Sequence, residues 1–336
     1  MNQSETKQVF IDLKDFSNET KEFEGYQLAR VVEQQKDIYK LMNGEKKLMQ
    51  ARVSGRIMYQ SIQASDYPAV GDWVLIETSS ETSIIHHIIE RQSILERKSA
   101  GQTSEAQLIA TNLDVIFICM STNENFNLRR LERYLSVCWS SKATPVIVLT
   151  KIDLSNDLSS LLAELQQVSQ GVDILLSSEL TEPYYQHIES YLKEGQSYCF
   201  IGSSGVGKST IVNHLLESNI QKTIEIGDHD KGRHSTTSRR LFYTVHGAII
   251  IDTPGMRELQ LDEADIELTF YDIEELSKAC KFNDCKHEKE PGCAVKQAIH
   301  QGALSIERLE NYRKLNKELE YQKLKAKRLE IKLKKK

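Results

Sequence analysis

Residues 198–210 have the sequence YCFIGSSGVGKST, which contains the pattern G-x-x-x-x-G-K-[ST] at residues 202–209. In this pattern, glycines let backbone N–H groups surround phosphate oxygens, the lysine adds charge at the β- and γ-phosphates, and the last hydroxyl can bind Mg²⁺. A strand is predicted before the loop and a helix after it, so the positive helix end faces the anion. A glycine-rich turn without a ligand is the weaker alternative. The predicted phosphate contacts are Gly202, Ser203, Ser204, Gly205, Val206, Gly207, Lys208, Ser209 and Thr210.

Five apolar stretches predict a parallel sheet around this loop. They cover residues 115–118, 146–149, 174–176, 198–201 and 248–251. Stretches that are apolar on both faces are typical of strands buried in a parallel sheet, and the longer segments between them have helical patterns. The sequence therefore predicts an open α/β domain, in which ligands bind at the carboxyl ends of the strands.

Residues 252–255, Asp-Thr-Pro-Gly, follow the last of these strands. At this position Asp252 can hold Mg²⁺ through a water molecule, and the N–H of Gly255 can contact a γ-phosphate. Residues 230–237 lie in the interval expected for a first switch segment, where a threonine completes Mg²⁺ coordination. We predict Thr236 for this role, with Thr237 as the second choice. The alternative is a polar loop without a ligand.

A guanine-binding motif is predicted at residues 150–153, Thr-Lys-Ile-Asp. The Asp153 carboxylate can accept hydrogen bonds from N1–H and the 2-amino group of guanine, and adenine offers neither donor. Thr150 and Lys151 complete this motif, while Ser177 and Ser178 follow the next strand and can meet guanine O6 through backbone N–H groups. Each short motif alone is common in surface turns, but together they indicate a guanine nucleotide site.

The order of the motifs is that of a circularly permuted chain. In ordinary GTPases the phosphate loop comes first, whereas Asp153 here precedes Gly202. Surface loops tolerate such rearrangement, so the same site can form. Met256 stands where many GTPases have a glutamine that orients water, and a thioether cannot do this. His234 is the nearest alternative group for that role, with a bystander loop histidine as the other interpretation.

The region before the α/β domain has the pattern of a small barrel. Short β-like stretches cover residues 26–32, 37–41, 47–53, 73–77 and 84–89. Turn signals separate them, and five short strands in about 70 residues favour a barrel of the OB type.

The region after the α/β domain contains a compact Cys/His set. Its members are Cys280, Cys285, His287 and Cys293. Three thiolates and one imidazole complete a tetrahedral Zn²⁺ shell, which indicates a structural site. Unrelated buried thiols and an iron–sulfur cluster are the alternatives. The other cysteines, Cys119, Cys138 and Cys199, lie in apolar stretches and are predicted to be core residues.

The amino-acid composition excludes a wholly disordered, collagenous or mucin-like chain. The chain has 336 residues, 40% hydrophobic and 27% charged, as in globular proteins. Because it lacks a signal pattern and a long apolar segment, we expect a cytoplasmic protein.

Residues 313–336 carry a net charge of +8, which leaves −13 for the other 312 residues. This asymmetry favours a local contact with a polyanion over a uniformly basic surface, and a solvated terminal helix is the alternative.

These motifs together resemble the RsgA family of circularly permuted, small-subunit-dependent GTPases. The resemblance rests on residues 150–153, 202–210, 232–237 and 252–255, on the Cys/His set, and on the segment EPGCAV at residues 290–295. It covers nearly the whole chain, although Thr150 stands where the family commonly has Asn.

The resemblance implies a multidomain α/β fold with three parts. These are an OB-fold barrel at residues 1–95, a circularly permuted P-loop GTPase domain at residues 96–262, and a helical zinc-binding module with a basic tail at residues 263–336. It further implies GTP hydrolysis stimulated by the 30S subunit during its late maturation, contacts with 16S rRNA, and a catalytic part for His234 beside Lys208 and Thr236. We expect GTP or GDP, Mg²⁺ on Ser209 and Thr236, one Zn²⁺, and a monomer.

Two other functions remain open from the sequence. Met256 is compatible with a GTP-gated binding module that has negligible turnover. A P-loop kinase acting on a small molecule is disfavoured by the guanine-selecting Asp153 and by the lack of an evident acceptor site.

Overall fold

The structure, a computed structural model, describes most of the chain. The described residues are 25–79, 81–98, 106–123, 126–178, 180, 185–217, 239–252, 266–267 and 269–333. No helix within these ranges combines the length and the apolar character needed to cross a membrane.

The first part is a closed five-stranded barrel. Its strands are β1 (Gln27–Gln35), β2 (Ile38–Asn43), β3 (Leu48–Val53), β4 (Trp73–Glu77) and β5 (Ser83–Ile88). Antiparallel pairing of β1 with both β2 and β4, and parallel pairing of β3 with β5, closes the ring. Alternate apolar side chains fill its interior, including Val31, Leu41, Val74 and Ile85. The predicted barrel and its five strands are confirmed.

A short helix, α1 (Gly55–Gln60), connects β3 to the segment before β4 and was not predicted. The Ser54 side chain caps its first turn by accepting a hydrogen bond from the N–H of Ile57 at 3.4 Å. Ile57 is its one buried residue, whereas Tyr59 is 92% exposed. The helix therefore lacks the apolar stripe by which helices are recognised in a sequence.

The second part is an α/β sheet that contains every predicted parallel strand. Its elements are β8 (Val115–Ser121), β9 (Thr144–Thr150), β10 (Asp173–Leu176), β11 (Ser197–Gly202), β12 (Arg240–Tyr243) and β13 (Ile249–Asp252), preceded by a separate hairpin of β6 (Ile94–Lys98) and β7 (Ala106–Thr111). The order across the sheet is β10-β9-β8-β11-β13-β12, and only β12 is antiparallel to its neighbour here. After β8 the chain adds β9 and β10 on one side of that strand, and β11 then pairs with β8 on the other side. This reversal creates a crevice at the carboxyl ends of β8 and β11.

Helices pack on both faces of this sheet. They are α2 (Leu128–Ser140), α3 (Leu158–Val168), α4 (Gln186–Tyr191) and α5 (Lys208–Glu217). The face covered by α2 and α3 shares its core with the C-terminal part, and the other face has a separate core under α4 and α5. The three cysteines predicted to be core residues are buried.

The barrel and the α/β sheet are joined edge to edge, because β1 also pairs with β12. A second connection is made by Arg30, whose side chain is fully buried between the two parts. Its guanidinium donates to the Ser197 hydroxyl at 2.8 Å and lies 5.0 Å from the ring of Trp73. Since Ser197 begins β11, the barrel is fixed to the strand that leads into the phosphate loop.

The third part is helical, with α6 (Tyr271–Ser277), α7 (Ala294–His300) and the long α8 (Ile306–Leu333). One cation, Arg308, fastens it to the α/β part. Its guanidinium donates to both carboxylate oxygens of Asp272, at 2.8 and 2.9 Å, and also to Glu132 of α2. Asn311 donates to the other oxygen of Glu132, so this buried carboxylate is fully partnered.

Candidate nucleotide-binding site and metal centre

The phosphate loop joins β11 to α5, as predicted. At Gly202, φ is +140°, and a β-carbon there would lie 2.3 Å from the carbonyl oxygen of Cys119. Only glycine fits this close approach of two strands. The buried side chain of Val206 anchors the loop in the core below, while Ser204 and Gly205 are exposed. The loop is thus fixed from beneath and open on its outer side.

Lys208 begins α5 and reaches back across the loop. Its Nζ donates to the carbonyl oxygens of Gly202 at 2.8 Å and Ser203 at 2.6 Å. Burial lowers the pKa of Lys208, and the nearby Cys119 thiol partly opposes this effect. Ser209 and Thr210 follow on the exposed first turn of the helix. A polyanion beside this ammonium would relieve the cost of its burial, so the loop fits a phosphate group.

The motif at residues 150–153 contacts the phosphate loop directly. The Thr150 hydroxyl donates to the carbonyl oxygen of Val206 at 2.7 Å, and Lys151 Nζ donates to that of Gly205 at 2.9 Å. Lys151 has a left-handed backbone with φ of +56°, which turns the chain sharply after β9. The structure therefore brings together two motifs that lie 56 residues apart in sequence.

The serines after β10 complete this side of the crevice. The Ser178 hydroxyl donates to Asp153 Oδ1 at 2.5 Å, which orients the carboxylate predicted to select guanine. The N–H of Ser177 donates to the carbonyl oxygen of Leu149 at 2.9 Å, so this amide extends the sheet. Both serines are buried, whereas Asp153 is exposed.

Asp252 is the last residue of β13 and is half-buried at the same edge of the sheet. Four other residues of the prediction, His234, Thr236, Thr237 and Gly255, lie outside the described residues, as does Met256.

Thr122 was missed by the sequence analysis. It follows β8, and its N–H donates to the carbonyl oxygen of Thr150 at 3.1 Å while its hydroxyl donates to that of Lys151. The signal was present, because Thr122 directly follows the apolar strand β8, as the predicted site residues stand at the ends of theirs. Thr122 supports the motif at residues 150–153 from the neighbouring strand.

The Cys/His set forms a compact cluster between α6 and α7. The potential ligand atoms of Cys280, Cys285, His287 and Cys293 all lie within 4.8 Å of one another. The Sγ atoms of Cys280 and Cys293 are 3.9 Å apart, and His287 Nδ1 is 3.4 Å from the second of them. With Zn–S bonds of about 2.3 Å, two thiolates on a tetrahedral ion lie about 3.8 Å apart. The donor set and its spacing therefore fit zinc.

The surroundings of His287 and Cys280 favour the deprotonated forms that bind a metal, whereas burial and the neighbouring thiols raise the pKa of Cys285 to about 11. His287 Nε2 lies 3.0 Å from the Ser277 hydroxyl, which itself donates to the carbonyl oxygen of Ile273. This hydrogen bond keeps the proton on Nε2 and leaves Nδ1 free to face the thiols. Burial, followed by the charge of Arg313, lowers the pKa of His287 and favours the neutral ring that a metal needs. Burial acts against the Cys280 thiolate, but hydrogen bonds from the backbone of Val295 and Ala294 and from the other thiols outweigh it, and its pKa is lowered.

A phosphate loop and a guanine motif at one sheet edge, in inverted chain order, define a circularly permuted P-loop GTPase. The sequence profile of the RsgA GTPase family matches residues 88–262. The chain belongs to this family.

Similar proteins agree with this assignment over most of the chain. RsgA 2 of Lactiplantibacillus plantarum, a small ribosomal subunit biogenesis GTPase, is 46% identical over 91% of this chain and 87% of its own length. The corresponding protein of Methanosarcina acetivorans is 43% identical over 83% of this chain and 76% of its own. The crystal structure of YloQ, a circularly permuted GTPase, matches with a TM-score of 0.64 at 25% identity, over 89% of this chain and 96% of that one. YjeQ from Thermotoga maritima shares the fold, with a TM-score of 0.65 at 24% identity over 88% and 98%.

Proposed function

We propose that this protein hydrolyses GTP to GDP and phosphate, is stimulated by the small ribosomal subunit, and acts late in maturation of that subunit. The names of the relatives support the biological setting. The observation that supports the chemistry is the contact of Thr150 and Lys151 with the phosphate loop, because a GTP site requires the base-binding motif to lie beside that loop.

In this proposal the phosphate side of the site is formed by the loop at residues 202–210. Backbone N–H groups and Lys208 hold the phosphate oxygens, and Lys208 stabilises charge that develops during transfer. Ser209 and Thr236 would hold Mg²⁺, Asp252 would support it through water, and the N–H of Gly255 would contact the γ-phosphate. When bound, the ion would supply positive charge against the nucleotide phosphates.

Asp153 selects the base. Its carboxylate, oriented by the Ser178 hydroxyl, accepts from N1–H and the 2-amino group of guanine. Adenine offers neither of these donors, so both hydrogen bonds would be lost, which disfavours it strongly. Because the Ser177 amide is used within the sheet, we assign the contact with guanine O6 to the N–H of Ser178.

His234 is proposed to position the attacking water, because Met256 cannot. An imidazole can accept a proton near neutral pH. A second candidate function follows from the same methionine: a GTP-gated module that binds its partner without appreciable turnover.

The cluster of Cys280, Cys285, His287 and Cys293 is proposed to hold one structural zinc ion. All four ligand positions come from the protein, as in structural sites, and no position is left for substrate. The ion would stabilise the connection between α6 and α7, two helices too short to be stable alone.

We propose contacts with 16S rRNA for the barrel, the zinc module and the basic end of α8. The positive segment at residues 313–336 supports this, since basic clusters bind nucleic acid phosphates. We further propose that the protein is a cytoplasmic monomer. Its three parts cover residues 1–95, 96–262 and 263–336, and the boundary between the first two lies within β6.

The test is GTP hydrolysis by the purified chain with 30S subunits, with 50S subunits, and alone. We expect strong stimulation by 30S only. Lys208→Ala should abolish turnover and weaken nucleotide binding, whereas Lys142→Ala, at the opposite edge of the sheet before β9, should retain both. GTP binding without hydrolysis under all conditions would instead support the GTP-gated module.

A further inference from the structure

A row of alternating charges crosses four neighbouring strands where the barrel meets the α/β sheet. In the strand register, Lys40 of β2 lies opposite Glu33 of β1, which in turn lies opposite Arg240 of β12. Arg240 also lies opposite Asp252 of β13. Opposite residues of antiparallel strands have their side chains on the same face. These four residues are called the charge ladder below.

Glu33 is the fixed point of the charge ladder. Its side chain is only 5% exposed, and its two oxygens lie 3.0 Å from Lys40 Nζ and 3.1 Å from Arg240 Nη2. Burial alone would raise the pKa of Glu33, but hydrogen bonds from Gln35 and Lys40 and the charge of Arg240 outweigh it, so the pKa is lowered. Glu33 is therefore a carboxylate that holds Arg240 from the barrel side.

The other end of the charge ladder lies at the nucleotide site. β12 begins at Arg240, shortly after the predicted first switch segment at residues 230–237, and β13 ends at Asp252, directly before residues 253–255. Arg240 thus stands between a buried carboxylate of the barrel and the carboxylate assigned to Mg²⁺. Arg240 is held by Glu33 on one side and lies opposite Asp252 in the strand register on the other. Its positive charge is therefore next in line to bias the position of the Asp252 carboxylate.

We propose that Arg240 is a positioning residue for Asp252, and that the barrel, through Glu33, thereby takes part in forming the Mg²⁺ side of the site. This inference rests on the proposed GTPase function. It predicts that the dependence on Mg²⁺ changes when Arg240 is altered, although Arg240 contacts neither nucleotide nor metal in this scheme.

The test compares Arg240→Gln, Arg240→Lys and Arg239→Gln in the full chain. Two quantities are measured: the Mg²⁺ concentration that half-saturates GTP hydrolysis, and the Mg²⁺ dependence of the release rate of a fluorescent GDP analogue. We expect Arg240→Gln to raise both half-saturating Mg²⁺ concentrations about tenfold. This is the lower end of the loss in metal affinity that follows when a residue supporting a metal ligand is removed. The rate at saturating Mg²⁺ should stay unchanged, and Arg240→Lys should recover most of the affinity because it keeps the charge.

Arg239→Gln is the matched control. It removes the same charge one position away, from a side chain that donates to the carbonyl oxygen of Leu108. An equal change in this variant would show a general effect of net charge and would overturn the proposal. So would a wild-type Mg²⁺ dependence in Arg240→Gln.

A double-mutant cycle tests the part of the barrel. Glu33→Gln should also raise the Mg²⁺ requirement, and adding it to Arg240→Gln should cause no further rise, because both act through one pathway. Additive effects would contradict the charge ladder. If the wild-type chain binds no guanine nucleotide, both the proposed function and this inference are wrong. If it binds guanine nucleotide normally and all variants share its Mg²⁺ dependence, only the role of the charge ladder is wrong.

Discussion

The hydroxyl of Thr150 donates a hydrogen bond of 2.7 Å to the carbonyl oxygen of Val206. This bond connects the end of β9 with the phosphate loop and is buried from solvent. Thr122 supports the same connection, because its N–H and its hydroxyl hold the backbone of residues 150–151 from the end of β8.

Removing this hydroxyl should weaken nucleotide binding. Thr150→Val keeps the shape but leaves a buried carbonyl oxygen without its partner, at a cost of about 1–3 kcal/mol. GDP binding requires the loop to be held in place, and we expect the looser loop to lower GDP affinity about tenfold, which corresponds to about 1.4 kcal/mol, as measured by titration calorimetry. Thr150→Asn should bind within a few-fold of the wild type, since an amide donor replaces the hydroxyl. Equal weakening by both substitutions would show that side-chain volume, and not the hydrogen bond, matters here.

Selection of guanine should depend on Asp153. Asp153→Asn replaces one acceptor oxygen with a donor, which meets the donors of guanine unfavourably, so the preference for GTP over ATP should fall by about a hundredfold or more. The measurement is competition between nucleotides for a fluorescent GDP analogue. Asp157→Asn is the control, because Asp157 caps α3 by accepting from the N–H of Ser160 and Asn caps equally well. Retained GTP preference in Asp153→Asn would mean that the base lies elsewhere.

Most of the α/β part could be predicted because its strands are buried on both faces. Such strands are continuous apolar stretches, and β8, β9 and β11 are almost completely buried. The site motifs then follow from one rule, that ligands bind where parallel strands end. The same rule would have found Thr122, had it been applied to the first strand as well as to the others.

Contacts between distant segments could not be predicted in this way. β12 has only four residues, Arg240–Tyr243, which is too short for a periodic pattern to be recognised. Its pairing with β1 depends on a register between residues about 200 positions apart, which local periodicity does not contain. The buried pair of Arg308 and Glu132 is equally invisible, because both residues are typical of exposed helix faces.

The metal assignment is tested by substituting one ligand. Cys285→Ser should reduce bound zinc from one equivalent to near zero, because a neutral hydroxyl replaces a thiolate, and should destabilise the segment between α6 and α7. Zinc content is measured by elemental analysis of purified protein, and GDP affinity should be unchanged. Cys138→Ala, which removes a buried thiol from α2, is the control for general loss of cysteine. Unchanged zinc in Cys285→Ser would contradict the site.

Two ion pairs, each with one arginine, connect α2 and α8, and we expect them to contribute very different free energies of stabilisation. Arg308 is buried with Glu132, of which only 2% of the side chain is exposed, whereas Arg129 and Glu310 form an exposed pair at 3.5 Å. Burial raises the pKa of Glu132, although the charge of Arg308 opposes this. Without its cation, the carboxylate would have to take up a proton or attract water into the core.

Arg308→Met should therefore detach α8 from α2, at a cost of about 3–5 kcal/mol for a buried charge left unpaired. Arg129→Met should cost less than about 1 kcal/mol, because exposed ion pairs contribute little. Hydrogen exchange measured across residues 269–319 and 128–140 distinguishes the two, with faster exchange expected in Arg308→Met only. GDP affinity should be retained in both, since neither arginine belongs to the motifs assigned to nucleotide binding. Similar exchange in the two variants would show that apolar packing of α8, and not the buried arginine, holds the C-terminal part against the GTPase sheet.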